Sequence, residues 1–194
     1  MSKIIIYAIL ALAIFGTGCS SAVDSSYLLS GYDQNSNAAI KRISVTVWSP
    51  MDYHQVGNLA AFIASDYIKL RKNYIVHPPR TIKQNFNDAC EGLEGVLALR
   101  ILDISVVDDE VNMQLDASLF RCTDDALLWR TTGTLESSSN DENLKHLTIS
   151  YRNSVGSVAN RFAAPLFALL QQLLELLPNP TLSDDEVIEK IELD

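Results

Sequence analysis

VLALRILDISVV (residues 96–107), DDE (108–110) and VNMQLDASLFRC (111–122) decide the fold. In the later apolar run Val111, Met113, Leu115, Ala117 and Leu119 occupy alternate positions, the spacing of a strand with one buried face. The earlier run is apolar-rich with partial alternation. Two such runs about an acidic turn predict a β-hairpin. Thr123-Asp124-Asp125 predicts a further turn, and ALLWRTTGTL (126–135) a third strand.

Upstream, IKRISVTVW (40–48) alternates Ile43, Val45 and Val47 with polar residues and reads as a strand ended by Ser49-Pro50. Asp52 is placed to cap a helix running to about Arg71. Its apolar face holds Val56, Leu59, Ala60, Ile63, Tyr67 and Leu70. Residues 74–77 form a short strand before Pro78-Pro79. Residues 81–93 are ambiguous, with a short helix around 82–86 and a loop carrying Cys90. Downstream, ESSSNDEN (136–143) reads as a polar loop, and 150–177 as a long helix kinked or broken at Pro165. Ser183 with Glu186 three residues on gives a capping-box pattern for a short helix in the tail. The order β-α-β-(α)-β-β-β-α predicts an α/β (α+β) fold: a mixed sheet with a long C-terminal helix packed on it.

The opening strand RISVTVWSP and the helix after it, NYIVHPP, EGVLALRI and DDALLWRTTG resemble segments of one envelope fold group. That group comprises the TolB amino-terminal domain, CsgG-like proteins and the lipoprotein activators of penicillin-binding proteins. The resemblance spans residues 40–177. It implies the fold more than any one role.

The amino terminus has Lys3, an apolar run at 4–15, and then Gly16-Thr17-Gly18-Cys19. That is the order of a secretory signal, too short to span a bilayer comfortably. It resembles the signal of bacterial lipoproteins, which implies cleavage at residue 18, lipid on Cys19, and anchorage in a membrane. Residue 20 is Ser, not Asp, which implies the outer membrane under the sorting rule of enteric-type bacteria. Residues 19–38, rich in Ser, Asn, Asp and Gly, read as a flexible tether. The expected organisation is a signal at 1–18, the tether, one α/β domain at 39–178 and a tail at 179–194. In an oxidising compartment Cys90 and Cys122 read as disulfide partners, the alternative being two buried thiols. Residue 122 lies near residue 96 across the hairpin, so geometry decides between them.

The chain carries 15 Lys and Arg against 24 Asp and Glu, a formal net charge of −9. Such a protein is repelled by phosphate backbones, which argues against nucleic acid as a partner. No hydrolase elbow, zinc motif, P-loop or dinucleotide fingerprint is present. His54, His77 and His146 sit on three elements without ligand spacing, so no metal, cofactor or catalytic residue is expected. The acidic clusters read as turn and cap chemistry. Trp48 and Trp129 read as core or sheet-face packing. The stretch LFALLQQLLELL (166–177) is apolar over more than one face, so Phe167, Leu174 and Leu176 are expected to meet the tail, a second subunit or an envelope partner. These features predict a non-enzymatic, lipid-anchored docking or assembly module of an envelope complex. A lipid- or small-molecule-binding lipoprotein is the alternative.

Overall fold

In the computed structural model, residues 20–36, 39–79, 89–139 and 142–193 are described. Cys19, the signal segment and the expected helix at 82–86 lie outside them. The central meander forms as read: β4 (Gly95–Val107), β5 (Glu110–Arg121) and β6 (Leu127–Ser138) are antiparallel neighbours. Val107 pairs with Glu110, which leaves Asp108-Asp109 as the turn. Asp108 takes φ 54°, a conformation that Asp tolerates better than most residues. The partial alternation of β4 has a structural cause. The register shifts between Ile101 and Asp103, so inward positions run Leu97, Leu99, Ile101 and then Ile104. Leu102 is the extra residue and is exposed.

β2 (Arg42–Trp48), α1 (His54–Arg71) and β3 (Ile75–His77) form a β-α-β unit whose strands are parallel. β4 pairs parallel with β2 on its other side. The sheet order is therefore β1-β6-β5-β4-β2-β3, with β1 (Ser20–Leu28) outermost beside β6. β1 corrects the tether reading: its Ser-rich sequence has few apolar residues to bury, yet the exposed edge of β6 pairs it from Ser20–Glu136 to Leu28–Trp129. A register shift between Val23 and Ser25 interrupts this edge strand, a device that discourages further pairing.

The helices α1, α2 (Lys145–Val155) and α3 (Ala159–Glu175) pack together, with α1 and α3 against the sheet. The core joins Ile43, Val45, Leu97, Leu99, Leu115, Leu119 and Trp129 of the sheet to Ala60, Ala64, Ile68, Phe162, Leu166, Leu169 and Leu173 of the helices. Gly133 marks the closest approach. A Cβ there would stand 2.8 Å from both Leu173 Cδ2 and the Ala22 carbonyl oxygen.

Four local expectations are corrected. Asp52 does not cap α1: a 3₁₀ turn (Met51–Tyr53) leads into it and no side chain caps the first amides. Leu70 is 81% exposed. The buried stripe follows Val56, Ala60, Ala64 and Ile68, while Leu70 belongs to the neighbouring line of Phe62 and Asp66. The long helix breaks at Gly156, not at Pro165. Gly156 takes φ 78°, which side-chain-bearing residues disfavour, whereas Pro165 sits inside α3 without ending it. β6 also runs on to Ser138, into the stretch read as loop.

The tail forms α4 (Asp184–Leu193), which packs along β3. Glu186 Oε2 accepts the Ser183 amide at 2.8 Å, one half of the predicted capping box. Lys41 Nζ lies 2.8 Å from Glu186, and Arg42 binds both Glu189 (2.5 Å) and Glu94 (2.8 Å). The hydrogen bond from Lys41, with help from the Ser183 amide, holds the Glu186 carboxyl down at about 2, from an ordinary 4.5. A depressed carboxyl contributes stability above its unfolded pKa, and that contribution disappears as pH falls through the folded value. Corrected amide protection in α4 is therefore expected to fall between about pH 4.5 and 2. Glu186→Gln flattens part of that dependence. Identical profiles for the two proteins would show that this pair does not hold the tail.

Candidate functional site

The sequence points to three kinds of site: a lipid cysteine, a cysteine pair and an apolar contact surface. The first lies outside the described residues. The second forms: Cys90 and Cys122 are disulfide-bonded, with Cα atoms 5.5 Å apart. Pairing of Gly95 with Arg121 and a 2.9 Å bond from the Cys122 amide to the Glu94 carbonyl bring the ends of this loop together.

The third is redrawn. Leu174 is fully buried and Phe167 is half-buried, edge-on to Tyr67 of α1 with ring centroids 6.4 Å apart. Only Leu176 of the three is exposed. The second apolar face of α3 is needed because α3 lies under α1 and α2 as well as on the sheet, so one helix meets three neighbours. The C-terminal end of α3 is closed by Lys72, whose ammonium donates to the Glu175 and Leu177 carbonyls at 2.8 and 3.2 Å. Burial lowers the Lys72 pKa, and Glu175 opposes that shift. Tyr74 Oη donates to the Pro178 carbonyl at 2.8 Å, and the Asn73 amide to Asn179 Oδ1 at 2.6 Å. The tail is thereby fastened to the turn after α1, and its end reaches α1 itself, where the Lys69 ammonium donates to the Leu193 carbonyl at 3.3 Å.

That outer face carries a groove of about 560 Å³ between α1 and α2. Phe62 and Leu70 line one wall, Leu147 and Tyr151 the other. Tyr151 Oη donates to Asp66 Oδ2 at 2.8 Å across it. Burial, then the Asp66 carboxylate, raises the Tyr151 pKa, so the phenol stays protonated and keeps donating. Phe62, Leu70 and nearby Ile149 of α2 are exposed at 38%, 81% and 72%. The sequence signal for this stripe was the four-residue spacing of Phe62, Asp66 and Leu70, masked by Leu70 also fitting the core period.

His54, His77 and His146 remain on separate elements, and among the described residues no group of three or more His, Cys, Asp or Glu is placed to hold a metal. Trp129 is buried in the core, while Trp48 stands half-exposed on the opposite sheet face. No helix among the described residues is long and apolar enough to cross a membrane.

Fold and surface together define a class: an α+β domain with a six-stranded mixed sheet, a helical layer and a groove on that layer. No protein-family model and no curated protein matches the chain. Among solved structures it is similar to PelC from Paraburkholderia phytofirmans, a dodecamer. The two are 17% identical, with 84% of this chain and 99% of that chain covered at a TM-score of 0.51. A fainter likeness is to lipoprotein GNA1162 from Neisseria meningitidis, 19% identical over 62% of this chain and 99% of that chain, at a TM-score of 0.40. At these identities the likeness concerns the fold.

Proposed function

We propose that this protein is a non-enzymatic lipoprotein, anchored through Cys19 in the outer membrane, whose domain docks into an envelope assembly. The observation that carries the reading is the position of β1. It starts at Ser20, one residue after the cysteine of the lipobox-like sequence, and is hydrogen-bonded into the sheet. A lipid on Cys19 would hold the domain directly against the bilayer, since adjacent Cα atoms are only about 3.8 Å apart. The end of the sheet beside Ser20 is then the membrane end. Glu136, the Asp108-Asp109 turn and the start of the helical layer lie there, and the Cys90–Cys122 bridge lies at the far end. The groove between α1 and α2, on the helical layer, is the surface we assign to a neighbour.

We favour a second copy of this chain as that neighbour. A protein of similar fold, PelC, is a dodecamer, and the resemblance to the TolB and CsgG-like group agrees with an assembly role. Extraction of the full chain in mild detergent, followed by native mass measurement, tests the docking role. The expected species is a multiple of the protomer, reduced to the protomer by Leu70→Glu or Ile149→Glu, both changes of exposed side chains. A lone monomer from membranes at native expression levels would contradict it.

A further inference from the structure

The face of the sheet opposite the helices carries a recess of about 110 Å³. Strand register explains how it arises. One row across β2, β4, β5 and β6 reads Trp48, Arg100, Asp116, Thr132; the adjacent row reads Thr46, Ala98, Ser118, Arg130. The small residues Ala98 and Ser118 make the floor, and the large ones stand up as the rim, with Phe120 and Leu127 closing one side.

The charges in this recess are arranged in an unusual way for an acidic chain. Asp116 is 5% exposed, and its carboxylate accepts from Ser118 Oγ (2.9 Å), Thr132 Oγ1 (3.2 Å) and Arg130 Nε. That ties the Arg130 guanidinium to Asp116 through Nε, while the side chain stays 49% exposed. Arg100 lies with Cζ 4.9 Å from the centroid of the Trp48 ring, and has no carboxylate partner among the described residues. The cation–π contact holds that guanidinium over the indole without engaging its N–H donors in an ion pair. Two guanidinium groups therefore face one buried, already saturated carboxylate, a local positive excess on a protein of net charge −9. The Thr46 hydroxyl, in the floor row beside Ala98, is buried without a hydrogen-bond partner.

We propose that this recess binds a sugar acid, a ring-sized ligand bearing a carboxylate. The planar anion matches the guanidinium fork, with bidentate geometry available on Arg100 and the free edge of Arg130. The ring's apolar face meets Phe120 and the part of the indole that Arg100 leaves uncovered, and its hydroxyls meet Ser118. The volume suits one ring, not an oligomer, so on a polymer it would read a terminal or single exposed residue.

The test is an NMR titration of the detergent-solubilised full chain with glucuronate, following the Trp48 indole N–H. A saturable shift with glucuronate, absent with glucose, is expected. Arg100→Ala, an exposed change that leaves Asp116 paired, should weaken binding by about tenfold or more, and Arg100→Lys should fail to restore it. No shift of the Trp48 indole, or an equal affinity in Arg100→Ala, would overturn the proposal. Acetate binding as tightly as glucuronate would overturn the sugar assignment.

Discussion

Phe162→Ala is expected to cost about 3–5 kcal/mol of unfolding free energy, the range for emptying an aromatic site in a packed core. Phe162 is 8% exposed, in the first turns of α3, within the cluster that joins the sheet to the helical layer. Little can collapse into the space, because the surrounding side chains belong to elements fixed by the sheet and by α1. Urea denaturation monitored by circular dichroism reads the change directly. A loss below about 1 kcal/mol would mean that α3 presents a different face to the core.

Cys90→Ser comes next in size. The bridge spans a sequence separation of 32 residues, for which the chain-entropy relation gives about 3–4 kcal/mol. The variant should melt well below the oxidised wild type, and reductant should lower the wild type to the variant's level while leaving the variant unmoved. Equal melting of oxidised and reduced wild type would remove the bridge as a source of stability. The bridge joins the segment before β4 to the turn after β5, at the end of the sheet opposite Ser20, so its loss should free the 121–127 turn first.

Much of the fold was legible because the meander obeys a period of two. Val111 to Leu119 alternates without interruption, and the structure follows it residue by residue. Where a bulge shifted the phase, at Leu102, the pattern looked merely apolar. β1 was not legible. An edge strand that buries little needs no apolar residues, so Ser-rich sequence reads as linker until β6 offers it a partner. The helix break was misplaced for a related reason: Pro165 is the more conspicuous residue, but the positive φ belongs to Gly156. The contact surface was misread because burial of α3 on several sides looks, in one dimension, like surplus hydrophobicity. Leu174 faces the core, and exposed apolar residues beside the groove, Phe62, Leu70 and Ile149, belong to other helices. The recess beneath Trp48 could not be read at all without register, since Trp48, Arg100, Asp116 and Arg130 are dispersed over four strands.

The proposed anchorage turns on Cys19. A lipid there would set the compartment in which the disulfide forms, and would hold the domain at the membrane by the end where β1 begins. Metabolic labelling with an alkyne analogue of palmitate tests it most directly, comparing wild type with Cys19→Ala in cells of the native host. Label and membrane pelleting are expected for the wild type, with both lost in the variant. An unlabelled wild-type protein recovered in the soluble fraction would contradict it.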